Sequence, residues 1–380
     1  MFKERLFTPG PTPVPEEVML SMARPMLHHR SPEFLAIARR VNENLRYLFQ
    51  TVQPVLTLTG SGTGAMEATF TSLFSPGETI ISVNGGKFGE RWVAMPRRFG
   101  LNVIELAVEW GSAPAPGAIG ELLRKHPEAR AVYLTHSETS TGAATDIRSA
   151  AKTIRECSDA LVCVDAITAV GAHELRFDEW GIDVCVTGSQ KGLMIPPGLA
   201  FVALSERAIG RIASAALPRY YFDLRSALDA NRTSDTPWTP AASLIVGVDT
   251  ALAMIRKEGI EQVWKRHERM ALACRAGMTA LGLRLFSSFP SFAVTPVWVP
   301  EGVIWKTFNQ ILKHTYGVTV AGGQDMLKDR VFRISHLGYY DEFDILSVVA
   351  AVERTLADCG WKFTPGSGLT AAQVSFLNHS

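Results

Sequence analysis

The stretch 161–198, LVCVDAITAVGAHELRFDEWGIDVCVTGSQKGLMIPPG, decides the fold. It holds two short, nearly continuous apolar runs, LVCVD (161–165) and DVCVT (183–187), rich in valine. Runs of that kind read as strands covered on both faces rather than half-exposed ones. Asp165 closes the first run, and Lys191 follows the second within TGSQKG. Ligands of open α/β sheets sit outside the carboxyl ends of the strands, so both are site candidates. Each also has an ordinary explanation: Asp165 as a turn or helix-cap residue, Lys191 as a solvated loop lysine. The neighbours of Lys191 (Gly188, Ser189, Gly192, Leu193, Met194) are small or apolar. A lysine in apolar surroundings has a lowered pKa and becomes a usable nucleophile toward a carbonyl.

Outward from this stretch the same alternation continues. Further strands are expected at VLTL (55–58), TIISV (79–83), NVIEL (102–106), AVYLT (131–135) and LAFVAL (199–204). Helical patterns lie between them at 63–74, 89–99 (with Pro96 expected to break it), 117–126 and 146–157. Strands alternating with helices predict an α/β domain with a mostly parallel sheet between helices. The polar, proline-rich NRTSDTPWTP (231–240) precedes two helical regions, 241–258 and 260–281, and then short strands and helices of an α+β character. The expected organisation is an N-terminal arm (1–15), a large domain (16–261), a smaller C-terminal α+β domain (262–363) and a weakly patterned tail (364–380), a candidate for mobility.

Composition narrows the classes. In 380 residues, 38 Lys+Arg against 37 Asp+Glu leave a formal charge of +1, without the basic excess of a nucleic-acid binder. No run of about 18 apolar residues predicts a membrane span, and the start lacks a signal-peptide pattern. The five cysteines form no CxxC pair, which argues against a disulfide framework and a Cys-rich metal site. A cytoplasmic α/β enzyme or binding protein is the expectation, with no nucleic-acid or membrane partner.

GSGTG (60–64) follows a strand and opens a helix. Small residues there let backbone N–H groups approach an anion, with Ser61 and Thr63 hydroxyls as added donors; a plain Ser- or Thr-capped turn is the alternative. The set of a phosphate loop, a strand-end Asp and a strand-end Lys matches what pyridoxal 5'-phosphate requires. That cofactor needs a lysine for its aldehyde, an acid to keep its pyridine nitrogen protonated, and an anion cradle for its phosphate.

The ordered motifs TPGPTPVP (8–15), SGTGAMEA, NGGKFGERW, LTHSETSTG, VDAITAVGA, DVCVTGSQKGLMIPPG, TPWTP and FRISHLG (332–338) run along nearly the whole chain. In these the sequence resembles class V pyridoxal-phosphate aminotransferases of the alanine–glyoxylate, serine–glyoxylate and serine–pyruvate group. The resemblance implies the fold-type I architecture and a homodimer with active sites shared at the subunit interface. It implies that Lys191 forms the Schiff base, Asp165 pairs with the pyridine nitrogen, and Ile167 and Phe88 pack on opposite ring faces. Thr139 would bond near the phenolic oxygen. Ser61, Gly62, Thr63 and Gln190 would hold the phosphate, joined by Thr236 and Thr239 from the partner chain. Arg333 would bind the substrate α-carboxylate, because a planar guanidinium suits a carboxylate; a buried salt bridge is its structural alternative. Gly10 would line the substrate pocket. His28, in HHR (28–30), stands where many relatives carry glycine and is a candidate substrate contact or an interface residue.

The implied reaction is a ping-pong transamination from alanine or serine to glyoxylate or pyruvate. An aminotransferase for a phosphonate or phospho-amino acid is an alternative, with His28, His29 and Arg30 as its extra cations. A cysteine desulfurase-like lyase is less favoured, since residues 300–333 contain no Cys. A non-catalytic binder of a phosphate ligand would have no use for Lys191. Some members of the group carry a soluble-hydrogenase label, for which this sequence offers no paired cysteines.

Overall fold

The computed structural model describes residues 3–379, so residues 1–2 of the expected arm and 380 of the expected tail lie outside it. Thirteen strands fall among the described residues. In chain order they are β1 (Arg5–Phe7), β2 (Val55–Gly60), β3 (Thr79–Asn84), β4 (Asn102–Ala107), β5 (Ala131–Thr135), the two-residue pair β6 (Ser137–Glu138) and β7 (Ala143–Ala144), β8 (Leu161–Asp165), β9 (Val184–Gly188), β10 (Gly198–Leu204), β11 (Val294–Trp298), β12 (Val318–Gly322) and β13 (Val331–Ser335).

Seven strands form the large sheet in the order β2-β10-β9-β8-β5-β3-β4. Only β10 runs against its neighbours, pairing antiparallel with both β2 and β9. The central strands β5, β8 and β9 are buried at every residue, as expected for strands with helices on both faces. Apolar clusters fill both faces: one joins Phe49, Val132, Val164 and Phe201, the other Phe70, Trp92, Tyr133 and Val186.

The helix Gly89–Arg98 runs through Pro96 instead of ending there. A proline leaves the carbonyl four residues back without its helical partner. Here that carbonyl belongs to Trp92, and the Ser82 hydroxyl donates to it at 2.8 Å, so the helix keeps its course.

The second sheet has the order β1-β12-β13-β11, so part of the expected arm is a strand of the C-terminal unit. Phe7 stacks on Tyr340 with ring centroids 5.2 Å apart, and Tyr340 Oη donates to Leu6 O at 2.7 Å. Residues Ser367–Asn378 of the expected tail form a helix. Gly368, Ala372 and Phe376 recur every fourth residue and are buried, which places them on one helical face. Close approach explains the glycine: a Cβ on Gly368 would lie 2.8 Å from Leu281 Cγ, at the end of the facing helix Ile260–Ala280.

Candidate active site

Because only β10 is reversed, the carboxyl ends of β2, β3, β5, β8 and β9 open onto one side of the large sheet. Each delivers residues to a single crevice. β2 leads to Ser61, Gly62 and Thr63; β3 to Phe88; β5 to Thr139; β8 to Asp165 and Ile167; β9 to Gln190 and Lys191. All nine line the same space.

Lys191 is buried, not a solvated loop lysine, and its Nζ donates to Pro9 O at 2.6 Å. Burial lowers its pKa from 10.5 to about 8, partly opposed by the Asp165 carboxylate and assisted by Arg333 and Arg91. The strand-end Asp165 accepts from Ile167 N at 2.9 Å and from Trp92 Nε1 at 3.2 Å. Burial raises its pKa to about 6; those two hydrogen bonds and the nearby Lys191 pull it down, and Glu138 pushes it up. The result is an amine that is readily neutral facing a carboxylate held in a low-dielectric pocket.

Residues 8–12 form the ceiling. Thr12 N donates to Gln190 O at 3.2 Å, and Thr12 Oγ1 to Lys191 O at 3.1 Å. Gly10 is the closest approach: a Cβ there would lie 2.0 Å from Lys191 Nζ. At the opposite end, Ser61 precedes the helix Gly62–Leu73 but makes no side-chain cap, so that helix's first N–H groups keep no partner from it. Gly62 is required by its neighbour, since a Cβ would come within 2.5 Å of Ile167 Cδ1.

Arg333 extends from β13 of the second sheet. Its Nε donates to Gly322 O and its Nη1 to Thr139 O, both at 2.9 Å. It has no carboxylate within salt-bridge distance among the described residues, so the structural salt bridge does not form. Burial lowers its pKa to about 10, opposed by Glu138. The donors of Nη2 have no partner among the described residues.

Sequence reasoning passed over Glu138, Trp92 and Arg91. The buried Glu138 carboxylate accepts from Phe88 N, Gly89 N, Ser140 N and Ser140 Oγ, which fixes the segment carrying Phe88 against that carrying Thr139. The SETSTG and GERW motifs contain these residues, but nothing in linear spacing says that they meet.

Three expected site residues lie elsewhere in the chain. His28 and Thr239 line a separate groove with His29. Thr236 Oγ1 donates to Trp238 O, and Arg30 lies 3.8 Å from Asp235. Within one chain none of these lines the Lys191 crevice.

A family model described as aminotransferase class-V matches residues 6–375. The chain belongs to the class-V aminotransferases. This class-V aminotransferase is 42% identical to a protein of Anabaena cylindrica named soluble hydrogenase 42 kDa subunit, over 99% of each chain. It is 37% identical to the L-aspartate–glyoxylate aminotransferase of Paracoccus denitrificans, covering 98% of this chain and 96% of that one. Among solved structures it resembles the ureidoglycine–glyoxylate aminotransferase of Bacillus subtilis, with a TM-score of 0.93, 30% identity and coverage of 100% and 99%. The class-V aminotransferase fold is thus the fold-type I architecture, a large mixed, mostly parallel sheet with a smaller C-terminal α+β sheet. Its five cysteines are free, and three of them, in β8, β9 and the helix Ile260–Ala280, are buried, which raises the thiol pKa. Among the described residues no helix is long and apolar enough to cross a membrane.

Proposed function

We propose that this class-V aminotransferase uses pyridoxal 5'-phosphate to move an amino group from a small amino acid, alanine or serine, to a small 2-oxo acid, glyoxylate or pyruvate. The observation that carries the reading is the buried amine of Lys191, with its lowered pKa, sharing a crevice with Asp165. Glyoxylate as acceptor is supported by the names of the Paracoccus and Bacillus relatives.

The residues present fit the cofactor. The Gln190 side-chain oxygen is buried without a partner, and a half-turn of the amide presents an N–H₂ donor there instead. The uncapped N–H groups following Ser61 supply an anion cradle. Bound there, the cofactor supplies an aldehyde that condenses with amines and a ring that withdraws electron density from them.

The chain's own groups do the rest. Asp165, anchored by Trp92 and Ile167 N, holds a proton on the ring nitrogen. Phe88 and Ile167 provide the walls. The free donors of Arg333 fix the amino donor by its α-carboxylate. Lys191 Nζ, half neutral at about pH 8, would take the α-proton as general base and return it as general acid to the carbon on the far side of the amino nitrogen.

The dimer belongs to the same proposal. His28 and Thr239 share a groove away from their own chain's crevice, and Thr236 bonds to Trp238, which stacks on the exposed Tyr220 and Tyr221. That placement suits residues that complete a second copy's site. Mixing Lys191→Ala protein with a Thr236→Ala/Thr239→Ala variant tests it: hybrid dimers regain one intact site, whereas independent sites regain none.

The function is tested by exposing the purified yellow protein to single amino acids without an acceptor. Loss of the aldehyde absorbance with stoichiometric 2-oxo acid release is expected for alanine or serine, and aspartate is the informative third donor. No response to any amino acid would overturn the assignment.

A further inference from the structure

The cradle at Ser61, Gly62, Thr63 and Gln190 is built from neutral groups, yet a phosphate monoester carries between one and two negative charges at neutral pH. Apart from Lys191, the cation lining the crevice is Arg91, in the first turn of the helix Gly89–Arg98. Its Nη1 donates to Thr63 Oγ1 at 3.1 Å, and its Cζ lies 4.8 Å from the centre of the Phe88 ring. Nearby cations are already matched with acids: Lys87 with Glu90 and Asp325, Arg97 with Glu105. Arg91 has no carboxylate within salt-bridge distance among the described residues.

The geometry has a direct chemical reading. A hydroxyl that accepts from a guanidinium has its own proton free to donate elsewhere. Thr63 is therefore turned into a donor at the mouth of an uncapped helix N-terminus, and Arg91 keeps further N–H groups beside it. The Phe88 ring holds the guanidinium plane at one position, so little freedom is lost when an anion arrives.

We propose that Arg91 is a ligand of the cofactor's phosphate and supplies the positive charge that the rest of the cradle lacks. The inference rests on the reading of this crevice as a pyridoxal-phosphate site. It assigns Arg91 a task separate from that of Arg333: the first answers the cofactor's phosphate, the second the substrate's carboxylate.

Two aldehydes separate the possibilities. Ligand-free wild type, Arg91→Ala and Arg91→Lys are titrated with pyridoxal 5'-phosphate and with pyridoxal, which has no phosphate, and binding is read from the absorbance of the captured aldehyde. Arg91→Ala should weaken pyridoxal 5'-phosphate roughly 10- to 100-fold, as expected for a charge-assisted bond, and leave pyridoxal within about twofold. Arg91→Lys should restore part of the loss, because it keeps the charge without the planar fork. Equal weakening of both aldehydes would mean that Arg91 only braces Phe88, and would overturn the proposal. So would unchanged cofactor binding, including the case where only the KM of a dicarboxylic donor rises. Wild type that captures neither aldehyde would remove the reading of the crevice itself, and this inference with it.

Discussion

Gly10 and Lys191 meet so closely that no side chain fits between them: a Cβ on Gly10 would stand 2.0 Å from Nζ and 2.5 Å from Cε. Gly10 follows β1 of the second sheet and Lys191 follows β9 of the large one, and the two segments are joined by the Nζ bond to Pro9 O.

Gly10→Ala should therefore displace the lysine rather than unfold the protein. A misplacement of about 1 Å at a reacting group can cost about 100-fold in rate, and a loss of at least that size in kcat is expected. Circular dichroism should stay close to wild type, while the melting temperature falls modestly because Gly10 has a φ of +151° that an alanine adopts only with strain. Gly210→Ala is the control, since nothing lies within 4 Å of a Cβ there. Full activity in Gly10→Ala would contradict the close approach.

Capture of the cofactor aldehyde should report the lysine's titration. The neutral amine is the nucleophile, so the rate for ligand-free protein should rise with pH and level off above about 8, not above 10. The Asp165 carboxylate favours the ammonium form, so Asp165→Asn should move the midpoint below 8. Stopped-flow measurement across pH 6 to 10 checks both. A rate still climbing at pH 10 would count against the buried amine.

The carboxylate makes a prediction of opposite character. Its pKa is raised from 3.8 to about 6 in the ligand-free fold, so the folded state binds more protons than the unfolded one between those values. Its contribution to stability is therefore greatest below pH 4 and falls as pH rises toward 7, by about 3 kcal/mol if the whole shift is expressed. The stability difference between wild type and Asp165→Asn, from denaturant melts at pH 4 and 7, should move in that direction. A difference that does not vary with pH would refute the shift.

Arg333→Lys tests substrate recognition. Lysine keeps the charge but loses the fork whose Nε and Nη1 are tied to Gly322 O and Thr139 O. The KM for the amino donor should rise roughly 10- to 100-fold, with cofactor binding unchanged. A shift in cofactor affinity with an unaltered KM would place the arginine's task elsewhere.

Much of this architecture is legible in the sequence. The runs ending at Asp165 and preceding Lys191 are strands because both faces are covered, and burial on both faces leaves an uninterrupted apolar signature. Nine residues expected to serve one cofactor converge because five strand ends share a side of one sheet. What escaped was information held between distant segments. The helix through Pro96 depends on Ser82, fourteen residues earlier. Glu138 and Arg91 gain their meaning from the loops opposite them, and the final helix hides its four-residue burial period within a short stretch. His28, Thr236 and Thr239 lie away from their own chain's crevice, and the linear motifs that contain them carry no sign of that separation.

The segment from Arg5 to Thr12 has two obligations at once, edge strand of one sheet and roof over the lysine of the other. During translation its pairing partner Val318–Gly322 follows only after every strand of the large sheet has been made. The crevice thus stays unroofed until the C-terminal sheet exists, long after the residues that line it have been made. A fusion partner or protease acting at that end would reach the reaction centre directly, though it touches none of the residues that carry the chemistry.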